Sequence, residues 1–481
     1  MGERLQTKQE ELAFLAEEYR KHPELFVQRT FIEDAPALRK FGISIPDKEH
    51  FVAGTTKLWP EDFIVEEVAP DGTRYGVVGE SASPPPTPPA EQSPTTYATL
   101  VKCGLSTLEA IEELSRGLGI KKEHIAFAGI KDKDALTSQR ISLRHLPLEK
   151  LQTFSSPYFF LKDLSFGKGA VEKGKLRGNR FTILVRTDKK WLEDERSEKV
   201  ISALASVRNK GFYNFFYLQR FGTPRLCNFQ WAEEILKGNY EQAVRDILST
   251  ATERELPFFA ELRKELGKEF GNWQKLQEML APFPILFSHE RKLVGHLALH
   301  HGDFVGALQT IPEQITLWLY ALASLLFNKK ISEYLARGQE PPRELPFFLS
   351  PDRHDHEPYR QMLEAKGLYP VPFQNVRPFP QVQVRHRMTA TKDHGDILKG
   401  EIVPEGLILE FELSKGQYAT TLLSHIFNLT SGKPPEDISK ERLDTKKILG
   451  ELPLGETLTH FENIIASKGE NAFENLIAKN E

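Results

Sequence analysis

Strand patterns in one part of the chain and helix patterns in another predict an α+β protein. Three observations carry that expectation. Short segments in which apolar and polar residues alternate recur between Phe63 and Arg186, the period of half-buried strands. From about Thr223 to Val384 helical patterns dominate, rich in Glu, Lys and Leu and broken by prolines near Pro282–Pro284 and Gln339–Pro346. A chain of 481 residues and 54.9 kDa is long enough for two or three domains.

The composition, 40% hydrophobic and 27% charged, is that of a soluble globular protein. No apolar run approaches the ~20 residues of a membrane-spanning helix. The charged N-terminus MGERLQTKQEELAF lacks the apolar stretch of a secretory signal. Cys103 and Cys227 make neither a disulfide framework nor a zinc site, so a cytoplasmic location is expected. A net charge of −4 argues against nucleic-acid binding, but its distribution argues for it. Lys121 to Lys190 hold 16 Lys/Arg and 7 Asp/Glu, a local +9 that leaves −13 elsewhere. This asymmetry fits a phosphate-binding face; a solvated basic stripe reads the same on charge alone.

In chain order, Leu12, Leu15 and Tyr19 recur at helical spacing between Gln6 and Lys21, a helix ahead of His22-Pro23. In Lys57-Leu-Trp-Pro-Glu-Asp-Phe-Ile-Val-Glu66, Pro60 opens a strand with Phe63 and Val65 on one face and Ile64 and Glu66 on the other. Gly79 to Pro94 is a Pro/Ser-rich loop within a domain, because Thr96 to Lys102 resumes the strand pattern. Ser106-Thr-Leu-Glu109 is a capping box opening a helix whose stripe is Leu108, Ile111, Leu114 and Leu118, ended by Gly119. Ile125 to Ile130 reads as a buried strand, Gly129 lets the chain bend, and Lys131 to Asp134 is a charged turn. Thr137 to Leu143 alternates again, so the turn joins two strands. Lys173 to Arg186 is a glycine-flanked turn and a strand; Trp191 to Asn209 is a helix; Gly211 to Gly222 interleaves aromatics with Gln219 and Arg220. His296, His300 and His301, then His354 and His356, invite a metal reading, but no HExxH or paired-cysteine pattern accompanies them and no metal is expected.

Ala128-Gly129, Lys131-Asp132, Ala135, Thr137 and Gln139 resemble the signature AG-x-KD-x-x-A-x-T-x-Q of the tRNA pseudouridine synthase D (TruD) family. Further motifs follow the same family. Lys57, Pro60-Glu61-Asp62-Phe63 and Glu66 match K-x-x-PEDF-x-V-x-E; Leu176, Gly178, Asn179 and Phe181 match L-x-GN-x-F. Asn214, Phe215, Phe216 and Gln219-Arg220-Phe221-Gly222 match PN-Y/F-F-G-x-QRFG, with Tyr213 for the usual proline and Tyr217 for the usual glycine. Phe411, Leu413, Gly416 and Tyr418-Ala419-Thr420 match F-x-LP-x-G-x-F/Y-AT, with Ser414 for proline.

The resemblance implies an α+β fold: a pseudouridine synthase catalytic domain with a mixed, mainly antiparallel sheet, and a TruD-type insertion domain across a cleft. It places the catalytic domain at 51–222 and 385–430 and the insertion at 223–384; outside it, 1–50 reads as an N-terminal helical extension and 431–481 as a tail. It implies isomerisation of uridine to pseudouridine in tRNA, with uridine 13 as the family's best-known bacterial site, without cofactor, membrane or obligatory protein partner. Asp132 takes the catalytic position, and Lys57, Phe63, Lys131, Asn179, Phe181, Gln219, Arg220 and Tyr418 those that bind substrate or RNA. The chemistry suits these types. A carboxylate can attack C1′ as nucleophile or act as base on the sugar. A base taken from its stack can be held by aromatic rings while cations hold phosphates. Taken by periodicity alone, Phe181 is a core residue. The alternative function is a non-catalytic RNA-binding or folding factor on the same scaffold.

Overall fold

The computed structural model describes residues 2–79, 95–146, 150–151, 154–193, 195–382 and 384–468. Most of the Pro/Ser-rich loop lies outside them. Among the described residues two compact units emerge: 2–49 joins 213–393, and 50–212 joins 394–468. Against the expected boundaries, residues 213–222 and 385–393 cluster with the helices, as does the N-terminal extension, and the described part of the expected tail, 431–468, clusters with the strands. Among the described residues no helix is long and apolar enough to cross a membrane.

The strand unit holds an eight-stranded sheet. Its strands are β1 (Phe63–Val68), β2 (Thr95–Lys102), β3 (Ile125–Phe127), β4 (Leu136–Leu143), β5 (Phe159–Gly167), β6 (Gly178–Arg186), β7 (Asp396–Val403) and β8 (Gly406–Ser414). The order is β7-β8-β6-β1-β4-β2-β5. All these pairs are antiparallel except β1–β4. One edge of β4 is shared. Its start pairs with β1 (Ile64↔Leu136 to Glu66↔Ser138), and its end pairs with β3 (Phe127↔Ile141 to Ile125↔Leu143). The seam between these two ladders is where the charged turn leaves the sheet.

Side chains in register alternate between faces. Val65, Thr137 and Phe181 share one face; Ile64, Leu136 and Thr182 share the other. Helix Thr107–Leu118 covers part of the first face, packing Ala110, Ile111, Leu114 and Leu118 on Ala98, Leu100, Ile141 and Leu143. The capping box forms as expected: Glu109 N donates to Ser106 Oγ (3.2 Å) and Ser106 N to Glu109 Oε2 (2.9 Å). Leu108, however, points outward and Thr107 inward, because the Thr107 hydroxyl is bonded beneath the charged turn.

The second face is covered by the segment that the sequence left unread. Leu454, Phe461 and Ile465 pack on Ile64, Val101, Leu136 and Phe160. This cover explains why β4 is buried on both faces, although its alternation reads as half exposed. Two other expectations are corrected. Pro60 starts a single 3₁₀ turn, Pro60–Asp62, and the strand begins at Phe63. The strand before the charged turn stops at Phe127, because the next carbonyls, Ala128 and Gly129, accept from Gly174 N (2.7 Å) and Gln139 Nε2 (2.9 Å). Ile130, expected inside, is 66% exposed. Gly129 does not adopt a left-handed φ, and a Cβ there would meet only Lys131 Nζ at 3.9 Å. A close backbone approach occurs at Gly178, where a Cβ would lie 2.1 Å from Leu413 O on β8.

The other unit is largely helical. Helix Gly2–Lys21 belongs to it: Glu11 caps Ile285 N and Leu286 N, and Phe14 meets Phe283 edge-on. Helix Pro312–Ala336 runs through its core, and Asn328 near its end ties Phe216 N, Phe216 O and Phe41 O.

Candidate active site

The charged turn is fixed by three side chains, Thr107, Glu67 and Lys102, before any substrate is considered. Lys131 N donates to Thr107 Oγ1 (2.9 Å), and that hydroxyl donates to Gln139 Oε1 (3.0 Å). Lys131 Nζ pairs with Glu67 Oε2 at 2.6 Å, both side chains buried. The other oxygen of Glu67 accepts from Arg140 N (3.2 Å), a backbone donor at the seam between the β1 and β3 ladders. Lys102 Nζ donates to the carbonyls of Asp132 (2.6 Å) and Leu105 (2.8 Å). Burial pushes the Lys102 ammonium down to about 8, against the opposing pull of Asp132.

The Asp132 side chain projects from this fixed backbone and is 44% exposed. Lys57 Nζ lies 3.6 Å from its Oδ2 and 4.3 Å from the centre of the Phe63 ring. Lys57 has a φ of +61°, a left-handed conformation costly for a side chain with a Cβ, roughly 1–3 kcal/mol. The strain brings the ammonium to a carboxylate and a ring at once, a cation–π contact beside an ion pair.

Beyond Lys57 the first face carries an aromatic row. Phe63 meets Phe181 edge-on (6.2 Å), and Phe181 stacks on Phe411 (5.3 Å). Phe181 is 7% exposed, so most of it is core; Tyr418, 37% exposed ahead of the short helix Ala419–Ser424, has the open surface. Asn179 Oδ1 and Thr137 Oγ1 are buried and accept or donate no hydrogen bond. Buried polar atoms are normally paired, so a ligand is one means of satisfying these two.

Lys57, Phe63, Asn179, Phe181, Asp132 and Tyr418 thus lie in the strand unit, with Lys57, Phe63 and Asp132 in direct sequence of contact. Lys131, expected to bind RNA, has its ammonium buried against Glu67, where it holds the turn. Gln219 and Arg220 lie in the helical unit; Gln219 is exposed and Arg220 sits 5.2 Å over the Phe216 ring. Tyr217 is buried there too, and burial raises its hydroxyl well above the usual phenol range. Among the described residues no three His, Cys, Asp or Glu side chains gather as a metal set; His296 bonds Asp303 (2.9 Å) and His356 the carbonyl of Ser350 (2.7 Å).

A protein-family model, tRNA pseudouridine synthase D (TruD), matches residues 48–345, more than half of the chain. The chain belongs to the TruD family. It is 29% identical to the probable tRNA pseudouridine synthase D 1 of Methanocaldococcus jannaschii over 391 residues, 78% of this chain and 95% of that protein. To the probable tRNA pseudouridine synthase D of Methanopyrus kandleri it is 29% identical over 356 residues, 70% and 86% of the two chains. A crystal structure of a protein of the same designation from Methanosarcina mazei shares the fold: TM-score 0.58, 20% identity, covering 81% of this chain and 97% of the other. The α+β expectation is therefore met, and the chain is an isomerase of the pseudouridine synthase class.

Within the TruD motifs the structure separates two kinds of residue. Glu61 and Asp62 of the PEDF block point away from Asp132: Asp62 pairs with Arg186 through both oxygens (2.7 Å each) and Glu61 with Arg442 (2.5 Å). Sequence reading missed Glu67, Lys102 and Thr107 as supports of the turn. One signal was present, since Ala98, Leu100 and Lys102 share a strand phase that puts a lysine on the covered face.

Proposed function

We propose that the chain isomerises uridine to pseudouridine in tRNA, at uridine 13, with Asp132 as the carboxylate that acts at the sugar–base linkage. The observation that carries the reading is the conjunction at Asp132: an exposed carboxylate on a backbone held by Lys102, Thr107 and Lys131, with Lys57 beside it. In the reaction the C1′–N1 bond breaks, the uracil turns, C5 bonds to C1′, and the proton lost from C5 is balanced by one gained at N1. A carboxylate placed at C1′ serves as nucleophile, and one placed at the sugar serves as base. Lys57 keeps the carboxylate paired until the uridine arrives, and Phe63 and Phe181 wall the side toward which a flipped base would turn.

Phosphate contacts fit the loop Lys173 to Arg177. It is tied to the active turn through Gly174 N and Ala128 O (2.7 Å), and Lys173, Lys175 and Arg177 are exposed. The basic segment is less of a footprint than its charge suggests, because Lys131, Arg180 and Arg186 are used in internal ion pairs.

Replacing Asp132 with Asn tests the reading. Turnover in a tritium-release assay is expected to vanish, a loss beyond roughly 10²–10⁴-fold, while tRNA affinity and melting temperature stay close to wild type. Turnover retained by the Asn variant removes Asp132 from the chemistry. Pseudouridine mapped elsewhere in tRNA, with uridine 13 untouched, overturns the position but not the reaction.

A further inference from the structure

We infer that Lys102 is a positioning residue for the isomerisation: its buried ammonium fixes the backbone of Asp132 and so sets where the carboxylate stands. The inference rests on Asp132 being the reacting carboxylate. Lys102 ends β2, in register with Thr137 on β4, and is fully buried. Its two hydrogen bonds go not to carboxylates but to backbone carbonyls, that of Leu105 at the entrance to helix Thr107–Leu118 and that of Asp132 itself. The first anchor belongs to a capped helix packed on the sheet, and the second belongs to the turn. One ammonium therefore ties the reacting residue to the rigid body of the unit.

The economy of the arrangement argues for function over stability. A buried cation is unfavourable unless well compensated. Two carbonyls could be satisfied more cheaply by a neutral donor or by water. A charge-assisted bond is shorter and stronger than a neutral one, and it is aimed at the one residue whose placement decides the reaction. The other supports act on either side: Thr107 on Lys131 N, Gln139 on Gly129 O, Glu67 on Lys131 Nζ. Lys102 alone among these holds Asp132 directly.

The test compares Lys102→Met and Lys102→Arg with wild type and with Asp132→Asn. Met fills a similar volume without charge. It removes the cost of burying an ammonium while leaving two carbonyls unpaired, opposing effects that leave stability little changed. The expected result is a Met variant that melts near wild type and binds tRNA with a KM within about threefold, but with kcat lower by roughly 10²-fold, the scale of an ångström-size misplacement. Arg, which keeps a cationic donor, recovers part of kcat. A Met variant with kcat within about threefold of wild type overturns the inference, as does one in which kcat falls only as melting temperature falls.

Should the Met variant not fold, the wild-type pH profile decides. Charged and titratable groups facing Lys102 are Asp132, Cys103, Lys131 and Glu109, and Lys57 faces Asp132. Loss of the ammonium proton above pH about 8 weakens the bond to Asp132, so kcat is expected to fall there while tRNA binding holds. A kcat that is flat on both sides of 8 overturns the inference. If Asp132→Asn keeps turnover, the underlying reading fails; if it is dead while Lys102→Met is normal, only the positioning role fails.

Discussion

On one face of the sheet, Asp132 presents a carboxylate that is 44% exposed, with Lys57 Nζ 3.6 Å away. On the other face, Glu66, Glu410 and Glu451 close around Lys446 at 2.9, 3.5 and 3.0 Å, and Arg180 joins Glu410 and Glu451 at 2.5 and 2.9 Å. Neighbouring residues of one strand serve the two faces: Asn179 and Phe181 look toward the site, Arg180 and Thr182 toward the network. The contrast separates two uses of charge. Buried charge must have its partners inside the protein, because desolvation is costly. The Asp132 charge is left partly open, with rigid backbone beneath it in place of a full set of partners.

The sharpest way to break this contrast is to exchange the expected phenotypes. Asp132→Asn should remove turnover without unfolding; Arg186→Met should do the reverse. Asp62 would then be buried without its guanidinium, a loss of about 3–5 kcal/mol in urea unfolding, with normal kcat for the protein that remains folded. Adding Asp62→Leu should return much of the stability. A double variant no better than Arg186→Met would mean that the pair is not an isolated unit.

A second measurement sharpens the far face by pH. Burial raises the Glu451 carboxyl, but hydrogen bonding and charge from Lys446, with Arg74, outweigh it and hold the group at about 2, below its ordinary 4.5. A folded-state value below the unfolded one means stability that is full above pH 4.5 and is lost as pH falls toward about 2. Glu451→Gln should therefore show a smaller drop in urea midpoint across that window than wild type. An unchanged drop would assign acid sensitivity to other carboxylates.

The smallest effect concerns the rim. Reversing charge at Lys173, Lys175 and Arg177 should weaken tRNA binding and reduce the slope of log K against log salt by about one for each phosphate that is no longer neutralised. Lys175 already pairs with Glu172 (2.8 Å), so its share should be the least. A triple variant that binds as wild type across a salt series moves the footprint elsewhere.

Local sequence determined a good deal. The alternation of Thr137 to Leu143, the capping box at Ser106 and the charged turn at Lys131–Asp134 gave strands, helix and turn because each depends on neighbours a few residues apart. The motifs drew attention to Asp132, and alternating and helical patterns marked the strand and helix regions. Tertiary structure alone decided which charges meet. Glu66 and Lys446 stand 380 residues apart, Lys131 and Glu67 64 apart, Lys102 and Asp132 30 apart. It also decided that 451–465 would cover the sheet's second face, that Ile130 would face out and that Lys131 would face in. The reason is physical: periodicity specifies which side of a strand a residue occupies, whereas its burial and its partner depend on what another part of the chain lays over that side.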